Sequence, residues 1–212
     1  MLIALVVMLG VDGWLVYKRV RYEHETARLR SGMSGVERRR ADVLVASNQD
    51  RFRVMLELIR RQALGDKDLH LAVSVDSGVM HLAREGAQLR DMRVDVGPEE
   101  WVHVGPDTVK MAAPRGTRTI ERILGADDAW EVPQWVYTDR GLPIPDDGGR
   151  DLKGALGVGA IVLNGGSVIY ARPDSGPLAD SAYVLPGSVR VRAADLRAIA
   201  PNLKPGMSVY FY

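Results

Sequence analysis

Four histidines, His24, His70, His81 and His103, and no cysteine are the chain's whole supply of the side chains most used for nucleophilic and proton-transfer chemistry near neutral pH. The lack of cysteine excludes disulfides, thiolate metal sites and a cysteine nucleophile, but leaves the compartment open, since many extracytoplasmic domains carry no disulfide. No two histidines stand at a helical metal-ligand spacing, so neither a metal centre nor a cofactor is expected. The run Asp146-Asp147-Gly148-Gly149-Arg150-Asp151 does not follow calcium-loop spacing and reads as a solvated loop. The segment Leu185-Pro186-Gly187-Ser188-Val189-Arg190-Val191 places a hydroxyl two residues from a guanidinium. A serine hydroxyl attacks a carbonyl only beside a well-placed general base.

The elements that must position these groups begin with an apolar segment. Residues 1–17 are almost continuously apolar, broken only by Asp12, and Lys18, Arg19 and Arg21 follow. Such a length is the low edge of a bilayer span, and no small-residue cleavage site follows, so residues 1–21 are expected to be a transmembrane anchor. Asp12 would cost about 3 kcal/mol at mid-span, a tolerable charge among so many apolar residues. The basic cluster after the span favours a cytoplasmic C-terminal side. A start further upstream, with a basic flank of its own, would remove that preference.

The whole chain of 212 residues is 46% hydrophobic, enough for one domain with an appendage. Its net charge of +1 gives no argument for nucleic-acid binding, and none is expected. Between Lys18 and Arg61, however, twelve basic residues stand against six acidic ones, so the basic excess lies near the N-terminus.

Residues 22–65 read as a helical spacer, interrupted at Ser31-Gly32-Met33-Ser34-Gly35 and stopped at Gly65. In its second half Val45, Asn48, Phe52, Met55, Ile59 and Gln62 alternate spacings of three and four. That stripe suits either a self-associating coiled coil, making a homo-oligomer, or packing on the chain's own domain or a partner. After Asp68 the period falls to two: strands are expected at 69–75, 79–83 and 88–96, a meander with turns at Asp76-Ser77-Gly78 and Arg84-Glu85-Gly86. Asn164-Gly165-Gly166 marks a hairpin between 160–163 and 167–170, and a short helix at 193–199 precedes a terminal strand at 207–212. Residues 66–212 are therefore mainly β, a sandwich or barrel with small helices.

An ordered series of segments in this domain resembles the catalytic domain of L,D-transpeptidases, the YkuD-like family. The hairpin turns ending at Val96-Gly97 are similar to that family's opening strands, and Ala113-Pro114-Arg115-Gly116-Thr117-Arg118-Thr119-Ile120 to its Thr-Pro-x-Gly-x-Phe-x-Ile segment. Trp130, Pro133 and Trp135 resemble its aromatic, proline-rich stretch beside the substrate cleft, which makes both tryptophans candidate ligand contacts. Leu163-Asn164-Gly165-Gly166-Ser167-Val168-Ile169-Tyr170 resembles the strand that delivers the catalytic histidine, with Tyr170 in the histidine's place and Ala171 in the glycine's. The segment from Leu185 to Val191 follows at the family's spacing and is similar to its Ser-His-Gly-Cys-Ile-Arg-Met signature: Gly187 and Arg190 match, and Ser188 takes the cysteine's position. Ala194-Asp195-Leu196 and Pro205-Gly206-Met207-Ser208-Val209 resemble the closing elements.

The resemblance implies an extracytoplasmic domain of the cell envelope, acting on or binding peptidoglycan stem peptides, against the orientation that the basic cluster favours. It also implies a degenerate site. The family reaction needs a thiolate and an imidazole, and here Tyr170 and Pro186 occupy the positions that would supply imidazole. The expectation is a catalytically silent domain that holds a stem peptide or an envelope protein; the alternative is an active transferase or hydrolase with Ser188 as nucleophile. Arg190 is either a carboxylate-binding residue or one half of a structural ion pair. Tyr170 is either a packed strand aromatic or a ligand-stacking residue.

Overall fold

A computed structural model of the protein describes residues 35–146 and 148–212. The expected anchor, the first spacer helix and Asp147 of the acidic loop lie outside the described residues. No described helix is long and apolar enough to cross a membrane.

Helix α1 (Gly35–Gly65) ends at the glycine expected to stop it. Its a/d stripe divides in two. Val45, Phe52 and Met55 are exposed, whereas Ile59 is buried and, with Ala63 and the half-buried Leu56, packs on Ala72 and Tyr210. The compact unit that holds the strands runs Val54–Tyr212, so the last turns of α1 fold with them. Just past the helix, Asp66 accepts a hydrogen bond of 2.8 Å from the Tyr210 hydroxyl.

Twelve strands follow among the described residues. Eight of them close a barrel in the order β1 (His70–Ser74), β12 (Ser208–Phe211), β6 (Gly116–Gly125), β9 (Gly159–Leu163), β10 (Val168–Ala171), β11 (Val189–Val191), β3 (Ala87–Val96) and β2 (Val79–Arg84). Two pairs are parallel, β1 with β12 and β10 with β11, and the rest are antiparallel. The remaining four make two ribbons, β4 (Glu100–Val104) with β5 (Asp107–Met111), and β7 (Ala129–Glu131) with β8 (Asp151–Lys153). Helix α2 (Gln134–Asp139) lies between β7 and β8, and α3 (Ala193–Ile199) follows β11.

Alternation along the strands explains the two layers. Leu71, Val73, Met92, Val94, Ile161, Leu163, Ile169, Val189, Val191 and Phe211 fill the barrel, with Leu196 and Ile199 of α3 packed into the same core. The intervening residues Ala160, Val162, Val168 and Tyr170 face outward and are covered by Val102, Val132, Trp135, Val136, Leu178 and Leu185. Strands β9 and β10 are thus buried on both faces, which is why their sequence is a continuous apolar run. At the hairpin between them Gly165 and Gly166 both take positive φ, +85° and +84°, and the Asn164 side chain accepts from the Thr119 N–H of β6 at 2.9 Å.

Helix α3 is locked by a buried carboxylate. Asp195 accepts from Arg90 of β3 at 2.9 Å and from Arg192 at 2.8 Å. Burial acts to raise its pKa, but the two guanidinium groups outweigh it and hold the carboxyl below its usual range. Its stabilising contribution is therefore complete above the unfolded-state value of about 4 and is lost as pH falls through the lowered folded value. Asp195→Asn is expected to lower stability by about 1–3 kcal/mol at neutral pH. It should also flatten the loss of stability in acid, both measured by urea unfolding across pH.

Candidate functional site

The site is built on the parallel pair β10–β11 and its neighbour β3. Register places Tyr170 beside Arg190 and Arg190 beside Asp95, so the three side chains form one outward-facing row across three strands. Arg190 donates from Nε and Nη2 to Asp95 Oδ2, at 3.1 and 2.9 Å. Its Nη1 donates to the carbonyls of Ser181 and Tyr183, at 2.9 and 3.0 Å. Every arm of this guanidinium is therefore engaged within the protein.

Parallel strands need a crossover, and residues 172–188 supply it. They return over the outer face of β10 and are fastened at several points. The Leu185 N–H donates to the Tyr170 hydroxyl at 3.0 Å. Tyr183 donates to Asp139 at the end of α2 at 2.7 Å, while Arg140 pairs with Asp180 at 3.0 Å and lies 4.7 Å from the Tyr183 ring centre. Where the crossover enters β11, the Gly97 N–H donates to the Ser188 carbonyl at 2.9 Å. A Cβ on Gly97 would lie 2.1 Å from the Leu185 carbonyl oxygen, so only glycine admits this approach.

The crossover covers Tyr170 and residues 186–188. Tyr170 is fully buried, Ser188 is 3% exposed, and Pro186 and Gly187 are buried beside it. The Ser188 Oγ accepts from the Val168 N–H at 3.3 Å. Among the described residues no histidine serves it: His70 Nδ1 lies 2.9 Å from the Asp68 carbonyl, His81 pairs with Asp91 at 2.7 Å, and His103 with Thr108 at 3.1 Å. Strands β1 and β10 are four places apart around the barrel, so His70 is on the opposite wall. His103 alternates with the buried Val102 and therefore faces away from the covered layer. Burial pushes the Tyr170 phenol up despite the Leu185 hydrogen bond and the Arg190 charge, which leaves it neutral and unable to act as a base near pH 7.

The other sequence candidates sit in the covering layer. Trp135 of α2 is 9% exposed, and Trp130 of β7 is half-buried against the same cluster. Among the described residues no group of three or more His, Cys, Asp or Glu is placed to hold a metal ion. Asp95, Asp139, Arg140, Asp180 and Tyr183 escaped sequence reasoning. Asp139 and Tyr183 are 44 residues apart, and no local spacing announces such a pair.

No family model matches the chain, and no curated protein is similar to it in sequence. Among solved structures it is similar to L,D-transpeptidase catalytic domains, the family whose motifs its own segments resemble. One is the L,D-transpeptidase from Xylanimonas cellulosilytica DSM 15894, at 15% identity and a TM-score of 0.47 over 69% of this chain and 61% of that one. Another is the L,D-transpeptidase from Mycobacterium smegmatis, at 17% and 0.44 over 68% and 58%. A third is L,D-transpeptidase 1 of Mycobacterium tuberculosis, at 15% and 0.41 over 68% and 60%. The chain thus spans about three fifths of the length of these structures.

Burial raises the pKa of Tyr170, Tyr183, Tyr210 and Tyr212. Their contribution to stability is complete below the free-tyrosine value of about 10 and is lost as pH rises towards the raised folded values. An ultraviolet absorbance titration should show these four ionising together with alkaline unfolding rather than before it. Tyr170→Phe should remove one of the four and, by leaving the Leu185 N–H buried without its acceptor, cost about 1–3 kcal/mol.

Proposed function

We propose that the barrel is an L,D-transpeptidase-like domain of the cell envelope that performs no acyl transfer and binds peptidoglycan stem peptides or an envelope protein. Residues 1–17 anchor it to the membrane on this reading, and the helical segment spaces it from the surface. The observation that carries it is the use to which the two key positions are put. Where the sequence resemblance implies an imidazole and a thiolate, Tyr170 and Ser188 are buried, and each accepts a hydrogen bond from a backbone N–H.

Acyl transfer needs a nucleophile open to the substrate carbonyl and hydrogen-bonded to a base that takes its proton. Among the described residues neither condition is met at Ser188, which is buried and whose hydroxyl accepts from the Val168 N–H. Arg190 is spent on Asp95 and the crossover carbonyls, so it acts as a positioning residue for the loop over the site. Binding on this reading is left to the outer surface of the covering layer, where Trp130 is half-exposed.

The full chain in detergent, incubated with muropeptides, should yield neither cross-linked nor trimmed product by mass spectrometry. A fluorophosphonate should leave Ser188 unlabelled. Ser188→Cys should be equally silent, because Tyr170 still cannot accept the proton; product from that single variant would overturn the reading. So would wild-type product that disappears in Ser188→Ala. Saturable muropeptide binding supports the peptide as ligand, and a periplasmic reporter fused after Tyr212 should be active only outside the membrane.

A further inference from the structure

A cleft of about 490 Å³ opens beside the row just described, at the ends of β10 and β11 that lie away from Ser188. Four arginines line it, Arg93, Arg172, Arg190 and Arg192, with Asp95 and Asp174. Arg93 lies on β3 two residues from Asp95, Arg172 directly follows β10 and Arg192 directly follows β11, so three further arginines gather at this end of the parallel pair.

Like charges on adjacent strands repel and destabilise a sheet. Two of the four are relieved inside the protein, Arg190 by Asp95 and Arg192 by Asp195. The other two are not. Among the described residues the side chains of Arg93 and Arg172 make no hydrogen bond or ion pair, Arg172 acting on Asp180 only through its field. Asp174 is likewise unpaired, so the cleft keeps two free guanidinium groups against one free carboxylate.

We propose that this cleft is an oxyanion-binding site, in which Arg93 and Arg172 hold a carboxylate or phosphate group of a ligand. A guanidinium presents paired N–H donors that match two oxygens of either group, and repulsion among the arginines of the cleft is relieved when such an anion enters. Held at the rim of a shaped cleft, the two charges act on a ligand more strongly than isolated surface arginines, and salt weakens that action. The site is separate from Ser188 and Tyr170, so it stands or falls independently of whether the barrel performs acyl transfer.

The test uses the full chain in a non-ionic detergent at low ionic strength, titrated by calorimetry with inorganic phosphate and, in parallel, with glutarate. Saturable binding of one or both is expected, and which anion binds distinguishes a phosphate-bearing from a carboxylate-bearing ligand. The double variant Arg93→Gln, Arg172→Gln should bind at least about tenfold more weakly, while Arg93→Lys, Arg172→Lys retains part of the affinity. Without ligand the glutamine double variant should melt at or above the wild-type temperature, since it relieves repulsion. Absence of saturable binding to either anion would overturn the proposal, as would wild-type affinity in the glutamine variant. A lowered melting temperature of that variant without ligand would assign the two arginines a structural role instead.

Discussion

The parallel pairing of β10 with β11 is the constraint on which the rest of this barrel depends. Parallel neighbours cannot be joined by a tight turn, so the chain must leave the barrel after Ala171, cross over its outer face and return at Val189. The crossover carries backbone polar groups across an apolar layer, where each needs a partner. Tyr170 accepts from Leu185, and Arg190 donates to Ser181 and Tyr183. The same register that makes the strands parallel also puts Tyr170, Arg190 and Asp95 side by side, so the groups that fasten the crossover come from the sheet it covers.

This arrangement gives the side chains at positions 170 and 188 a physical role. A histidine and a cysteine at positions 170 and 188 would bring proton transfer and nucleophilicity; a tyrosine and a serine bring hydroxyls that satisfy buried N–H groups. The phenol reaches across to Leu185, and the smaller serine hydroxyl closes on Val168 at the start of the neighbouring strand. The apolar faces of Trp135, Leu178 and Leu185, the Tyr183–Asp139 hydrogen bond and the Arg140–Asp180 ion pair fasten the cover. Charge remains on the outer surface, where Arg93 and Arg172 line a cleft with the unpaired Asp174.

Much of the barrel was legible in the order of residues. The three-strand meander, the Asn164-Gly165-Gly166 hairpin, the helix at Ala193–Ile199 and the stop at Gly65 all follow from local periodicity and turn chemistry, and each is found. The β4–β5 ribbon was missed, although Trp101, Val102, His103 and Val104 lead into a Gly105-Pro106 turn that signals it. Helix α2 was also missed: six residues after Pro133 are too few for a periodic pattern to register. The a/d stripe of α1 was read as a single surface, and its last turns meet the barrel through Ile59 and Ala63. Nothing in the spacing could say where along the helix a partner begins.

At the site the division is sharper. The sequence alone determined which reactive side chains are available, because the absence of cysteine and the identities of Tyr170, Pro186 and Ser188 are facts of composition and order, independent of how the chain folds. It also determined the alternation that sends Ile169 and Val189 inward and Tyr170 and Arg190 outward. Only the tertiary structure decided what the remaining groups do. The pairings of Arg190 with Asp95, Asp139 with Tyr183 and Arg90 with Asp195 join residues 95, 44 and 105 positions apart. Contacts of that range are set by barrel closure and strand register, which bring distant segments together after each has formed its own local structure.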